Sequence, residues 1–327
     1  MQNGVNSLFE QKLKKTNMKK LLLLALVAAG LAGMMQSCKP DSPDGGSTAA
    51  SLTVAKKQRS LVVYHTATWC GPCGLYAMPE FKKLVAANDI DNIVPVDYHF
   101  SSSSRLVPMW MKPNNDTLFI APFAGQLLTT FSNINAAGSY SIPTFWLNNS
   151  LIGSSNIKVT DIQSNATNAN SIPVEIGVAA SASASGQTLS IKYKLKAFAP
   201  EAGSDYYVSA FIVEKSVTAL QTVSGSGEVS TAHERVIRAS AISNAAKMPV
   251  AFSPAAVMMS PAANAEVEKT ISWTYTAIPD AVKAKYVGYA YWNWDPANTG
   301  VVIAVWRKVT DPVKPYYLVN TVYADVK

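Results

Sequence analysis

The stretch that most limits what this chain can fold into is "RSLVVYHTATWCGPCG", residues 59–74. Leu61, Val62, Val63 and Tyr64 form an unbroken apolar run, the pattern of a strand buried on both faces in the middle of a parallel sheet. Beyond Cys73 the apolar residues Leu75, Met78, Phe81, Leu84 and Val85 recur at helical spacing, so a helix is expected over residues 73–87. "IVPVDYHF", residues 93–100, then supplies a second strand. The sum is a β-α-β unit with Cys70 at the strand-to-helix junction and Cys73 one turn further in.

That placement has chemical consequences. A cysteine at a helix N-terminus faces unpaired backbone N–H groups and the positive end of the helix dipole, and both stabilise a thiolate. Cys70 is therefore the expected nucleophile. Cys73, more shielded, is placed to resolve the mixed disulfide that exchange passes through. A structural disulfide and a zinc half-site are the competing uses of such a pair. The chain has three cysteines in all, so no second pair exists to complete a zinc site.

The third cysteine, Cys38, closes the segment "MKKLLLLALVAAGLAGMMQSC", residues 18–38. A short cationic start, a continuous apolar run and small or polar residues before the cysteine read as a secretory signal. The apolar run over residues 21–35 falls short of the ~20 residues a bilayer span needs. The Met-Gln-Ser-Cys ending resembles a bacterial lipobox, with Cys38 lipidated as the first residue of the mature chain; an ordinary cleaved signal with an incidental cysteine is the alternative. Translation from Met18 would give the same leader. Residues 1–37 are thus read as signal peptide, and residues 38–58, rich in Pro, Gly, Ser and Asp, as a flexible tether.

Charge sharpens the exclusions. Of the formal +7, five lysines and one acid precede Cys38; removing them leaves 23 basic and 20 acidic residues, a net +3. No basic patch argues for nucleic acid. The remaining chain is long enough for two ordinary domains, residues 59–170 and 171–327.

In the first, residues 101–121 read as an irregular insertion around Met109-Trp110-Met111. Pro122 can open a helix in which Phe123, Leu127, Phe131 and Ile134 share a face. "SIPTFWLNNSLIG", residues 141–153, gives an Ile-Pro step, a strand, an Asn148-Asn149 turn and another strand. A polar helix is expected over residues 161–169 with Thr160 as its cap. Near Ile172 the composition changes to alternation, as in "TLSIKYKLKAF", and short strands recur in "DYYVSAFIVEK", "HERVIRASAI", "TISWTYTA", "KYVGYAYW", "GVVIAVWRK" and "YYLVNTVYADV". Many short strands without a helix predict an all-β antiparallel sandwich for residues 171–327.

Trp69-Cys70-Gly71-Pro72-Cys73 in this context resembles the active site of the thioredoxin superfamily. The resemblance implies an α/β thioredoxin-like fold for the N-terminal domain, with Ile142-Pro143-Thr144 at the position of the family's cis-proline loop. Pro143 would then lie beside Cys70 and, with Trp69, Gly71 and Pro72, present a client backbone. Two departures stand out. Tyr64 occupies the place of a buried Asp that serves proton transfer in the family, and the family's helix proline arrives one residue late, at Pro79. Over residues 60–327 the chain further resembles the Bacteroidetes outer-membrane lipoproteins named for a twenty-eight-kilodalton founder. The shared features are "YHTATWCGPC", "VDYHF", "IPTFWLNN", "HERVIRASAI", "WNWDPAN" and "LVNTVYADV".

The expectation is an enzyme of thiol–disulfide exchange, lipid-anchored in a Gram-negative envelope at the outer membrane, on its periplasmic face or the cell surface. Its partners would be protein thiol or disulfide clients and an electron donor or acceptor that the sequence does not name; no cofactor is called for. The rival is a non-enzymatic surface lipoprotein, an adhesin or assembly factor, with a vestigial or structural cysteine pair. His65 and His99 at neighbouring strand ends could join the thiols in a soft-metal site, but hydrogen-bonded histidines are the commoner outcome, and no residue is assigned to a metal. His233 reads as structural. Tyr289, Tyr291, Trp292 and Trp294 could form a stacking platform for a glycan or peptide, or fill the core.

Overall fold

A computed structural model describes residues 51–99, 142–153, 156–242, 255–277, 280, 292–310 and 316–327. Cys38, the leader and most of the tether, residues 101–121, the helix expected after Pro122, and the strand "KYVGYAYW" up to Tyr291 lie outside these residues, as do Tyr289 and Tyr291 themselves.

The described chain is mostly β-structure with few helices, arranged in one mixed sheet and one antiparallel sheet. Strand β1 (Ser60–Thr66) leads through residues 67–72 into a π-helical turn, Cys73–Ala77, that continues as α1 (Met78–Ala86). Then follow β2 (Ile93–His99), β3 (Thr144–Leu147), β4 (Ser150–Gly153) and α2 (Val159–Asn170). Among the described residues eight strands follow: β5 (Ile176–Ser185), β6 (Thr188–Ala197), β7 (Asp205–Val223), β8 (Gly227–Ser240), β9 (Met258–Met259), β10 (Glu266–Thr274), β11 (Thr299–Lys308) and β12 (Tyr316–Asp325).

The mixed sheet runs β12-β11-β7-β8-β2-β1-β3-β4, with β9 on β7. Strands from both sides of the expected boundary at 170/171 thus share one ladder. The junction is slight: β2 and β8 run parallel and meet at the pair Asp97↔Val236. β1 is parallel to β2 in register, Tyr64 opposite Asp97 and Thr66 opposite His99, and antiparallel to β3.

Every residue of β1 and β2 is buried, which explains their apolar runs: both faces are covered. On one face α1 and α2 place Phe81, Leu84, Ile162 and Ala166 against Val62, Tyr64, Ile93 and Phe145. On the other, Leu61, Val63, Val96 and Tyr98 join Phe211, Val302, Trp306 and Leu318 in one core. Asn149 ties that arrangement together, accepting from the Leu318 N–H at 2.6 Å and donating to the Tyr316 carbonyl at 2.9 Å. The second sheet, β10-β6-β5, buries Ile176, Val178, Leu189, Ile191 and Leu195 against Val208, Ile212, Val301, Ile303 and Val305 of the mixed sheet.

Several local expectations change. Leu75 is 37% exposed rather than part of the buried face, because the π turn adds a residue and rotates that position off the core side. Pro79, which cannot donate a backbone bond, stands where the π turn gives way to α1. α2 starts at Val159, capped at Lys158, whose N–H donates to Asp161 Oδ2 at 3.1 Å; that carboxylate takes the capping role expected of Thr160.

Candidate active site

Cys70 directly precedes Gly71 and Pro72, whose backbone is already helical ahead of the π turn, and acts as the cap of this helical segment. Its carbonyl accepts the Gly74 N–H at 3.2 Å, and its Sγ accepts the Cys73 N–H, also at 3.2 Å. In the oxidised state seen here Cys70 and Cys73 form a disulfide with their Cα atoms 5.2 Å apart. Once reduced, the Cys70 sulfur would stand where a capping acceptor stands, against an N–H of the first turn and the positive end of the helix dipole. That arrangement favours the thiolate at Cys70. Cys73 is fully buried, and Pro72 between them is exposed.

The surroundings hold this turn from three sides. Tyr64 donates from its phenol to the Cys73 carbonyl at 3.2 Å and accepts from Thr66 Oγ1 at 2.9 Å, while its ring stacks on Phe145. Tyr64 thus pins β1 to the first turn of the helix. The Ile142–Pro143 peptide is cis, Pro143 is buried, and Ile142 packs with Trp69 against the cluster of Ala67, Cys70 and Cys73.

The third side is not legible in the sequence. β7 and β8 form a long hairpin whose tip, turning through Gly225 (φ +83°) and Gly227 (φ +76°), lies over the dithiol. The Thr222 N–H donates to the Thr68 carbonyl at 2.7 Å, and the Ser224 N–H donates to the Gly71 carbonyl at 3.2 Å. The buried Gln221 side chain donates to the carbonyls of Ala67 at 3.2 Å and Cys70 at 2.9 Å. Gly71 and Gly74 are needed for this approach: a Cβ on Gly74 would lie 2.4 Å from the Thr222 carbonyl oxygen, and one on Gly71 2.6 Å from Ser224 Oγ. Under this cover Cys70 is only 4% exposed. The one signal of a hairpin here in the sequence is the turn-forming Ser-Gly-Ser-Gly, residues 224–227, which does not show where the tip lies.

The histidines are arranged differently from expectation. His65 and His99 leave adjacent strands at positions one residue out of step, His65 paired with Tyr98 and His99 with Thr66, so their side chains occupy opposite faces of the sheet. They cannot share an ion. His65 packs against Tyr98 and Trp146, and burial pushes its pKa down to about 3. His99 instead meets Asp97, with Nε2 3.3 Å from Oδ2, and His233 of β8, which reads in the sequence as merely structural, joins them. Burial holds the His233 ring well below the usual histidine range, with the neighbouring His99, Lys82 and Arg238 adding to the effect. Trp292 and Trp294 pack with Trp273 and Tyr275 at ring separations of 5.1–6.0 Å along the edge of the second core.

No family model matches the chain, and no curated protein matches it. Among solved structures it is similar to HBP35 of Porphyromonas gingivalis, a Bacteroidetes protein, at 14% identity and a TM-score of 0.54, over 84% of this chain and 77% of that one. The likeness is one of fold. Among the described residues no helix is long and apolar enough to cross a membrane.

Proposed function

We propose that this protein carries out thiol–disulfide exchange through Cys70 and Cys73, as a lipid-anchored protein of a Bacteroidetes-type envelope. The observation that carries the reading is the capping geometry: Cys70 sits at the head of the helix with the Cys73 N–H on its sulfur. A thiolate there attacks a client disulfide sulfur; a mixed disulfide forms as the client's other sulfur leaves as thiolate. Attack by Cys73 on Cys70 Sγ then frees the second client sulfur and closes the intramolecular disulfide, so the client is reduced by two electrons as the protein is oxidised. The reverse sequence oxidises a client dithiol.

In this reading residues 59–170 are a thioredoxin-like domain and residues 171–327 a β-sandwich module that positions partners. Trp69, Gly71, Pro72 and Pro143 present the client backbone, and exposed Leu75 and Tyr76 extend an apolar rim beside the dithiol. Membership of the twenty-eight-kilodalton lipoprotein family, lipidation at Cys38 and an outer-membrane location belong to the same proposal.

A second reading rests on a specific observation: the hairpin tip leaves Cys70 only 4% exposed, as a structural disulfide would be. Insulin reduction by the chain from Ser51 onward separates the two. Turnover that is lost in Cys70→Ser supports exchange; an inactive parent whose thermal stability collapses on reduction supports the structural role.

A further inference from the structure

We propose that Asp97, His99 and His233 form a binding site for one divalent transition-metal ion of the Zn2+ class. The donors of these three side chains all lie within 4.8 Å of one another, and all three residues are buried. Asp97 Oδ2 stands 3.3 Å from His99 Nε2 and 4.0 Å from His233 Nδ1, and the two imidazoles meet edge to face at 5.1 Å. In a tetrahedral Zn2+ site with bonds of about 2.0–2.2 Å, donor atoms are roughly 3.3–3.6 Å apart. Of the three pairs, Asp97–His99 already has this spacing, Asp97–His233 needs a closure of about half an ångström, and His99–His233, within 4.8 Å, must close with it, which side-chain rotation can supply.

The backbone explains how three such groups converge. Asp97 and His99 are two apart on β2 and share its helix-covered face. His233 and the residue that pairs with Asp97, Val236, are three apart on β8 and would point to opposite faces in a regular strand. Between them Arg235 has φ +54°, a left-handed backbone that a non-glycine strand residue rarely adopts and that interrupts the alternation. Two of the chain's three histidines thereby reach one carboxylate from strands that barely pair.

The donor set selects the ion. Two imidazoles and one carboxylate suit borderline cations such as Zn2+, Fe2+ or Co2+, whereas Mg2+ and Ca2+ call for oxygen ligands throughout. Three protein ligands leave a position for water or an exogenous group. The site stands apart from the thiols: among the described residues its donor cluster contains neither cysteine.

The test uses the untagged mature protein with its disulfide intact, so that thiolates cannot contribute. The metal-free protein is titrated with Zn2+ by competition against a chromophoric chelator, and also refolded in the presence of Zn2+ because the site is buried. One bound equivalent is expected, with zinc-edge X-ray absorption reporting two imidazoles, oxygen and no sulfur. His233→Gln and Asp97→Asn should each weaken binding by more than about 100-fold, since even outer-shell changes cost 10–100-fold. His65→Gln, equally buried on the opposite face, should bind as the parent does, and so should the Cys70→Ser/Cys73→Ser double variant. No stoichiometric binding by either route, sulfur in the absorption spectrum, fewer than two imidazoles, or an equal loss in His65→Gln would overturn the site. The absorption measurement is made on the parent, so it decides the matter even where a variant fails to fold, and neither outcome depends on thiol exchange.

Discussion

Substituting Gly74 by Ala should turn Cys70 from a guarded thiol into a reactive one. The added Cβ would lie 2.4 Å from the Thr222 carbonyl oxygen, 2.9 Å from Gln221 Cγ and 3.0 Å from Val223 Cγ2. The first of these is backbone, so the hairpin tip must lift rather than a side chain rotate away. The closed tip is held by the Thr222 and Ser224 N–H bonds to Thr68 and Gly71 and by the two Gln221 bonds to Ala67 and Cys70. At about 0.5–1.5 kcal/mol for each of four bonds, closure is favoured by roughly 2–6 kcal/mol, and the clash should remove about 2–4 kcal/mol of it. Each 1.4 kcal/mol is tenfold in the open population, so iodoacetamide should alkylate reduced Cys70 about 30- to 1,000-fold faster, until the open form dominates. The helix itself gains from Ala over Gly by about 0.5–1 kcal/mol, so global stability should fall by about 1–3.5 kcal/mol. The assay is alkylation rate by mass spectrometry, with urea unfolding in parallel. A Cys70 rate within threefold of the parent, with unfolding unchanged, would refute the idea that the hairpin tip controls access.

Three further outcomes follow from the same geometry. Tyr64→Phe removes the phenol that bonds the Cys73 carbonyl and strands the Thr66 hydroxyl, so urea unfolding should show a loss of about 1–3 kcal/mol; an unchanged midpoint would mean the phenol does not anchor the turn. His65 has a folded pKa of about 3 against about 6.5 unfolded, so its contribution is complete above about pH 6.5 and lost as pH falls toward 3, by about 1.4 kcal/mol per unit and about 2 kcal/mol by pH 5. His65→Phe should flatten the acid slope of urea stability by about one proton, and parallel slopes would contradict this. Cys38→Ser should release the protein from membranes into the soluble fraction, and retention after a carbonate wash would end the lipid-anchor reading.

What the sequence makes legible is what depends on local pattern. The apolar runs of β1 and β11, the dithiol at the carboxyl end of β1 and the alternation of β6 follow from side-chain pattern alone. β5 is hard to read because "IGVAASASAS" is built from Ala and Ser, which carry little strand preference, and its pairing with β6 decides the matter. The continuity of the mixed sheet hangs on Asp97↔Val236, a contact between residues far apart in the chain that no periodicity encodes. Gln221 is invisible for the same reason: it reaches Cys70 across 151 positions. His233 cannot be assigned to Asp97 and His99 without knowing that Arg235 breaks the alternation of β8. Gly71 reads in the sequence as part of the client-presenting motif and Gly74 carries no signal of its own, whereas their lack of a Cβ lets the hairpin close over the thiols.

The central claim is tested most directly by trapping the exchange intermediate. Cys73→Ser leaves the attacking thiolate in place and removes the thiol that resolves the mixed disulfide, so reducible adducts on Cys70 should accumulate in envelope extracts quenched with acid and run without reductant. Cys70→Ser should give few, because buried Cys73 is a poor attacker. Adding Gly74→Ala to Cys73→Ser should increase the yield by opening the tip. Adducts confined to the Cys73→Ser chains are the predicted result; identical patterns from the two single variants, or no adducts from either, would contradict the account.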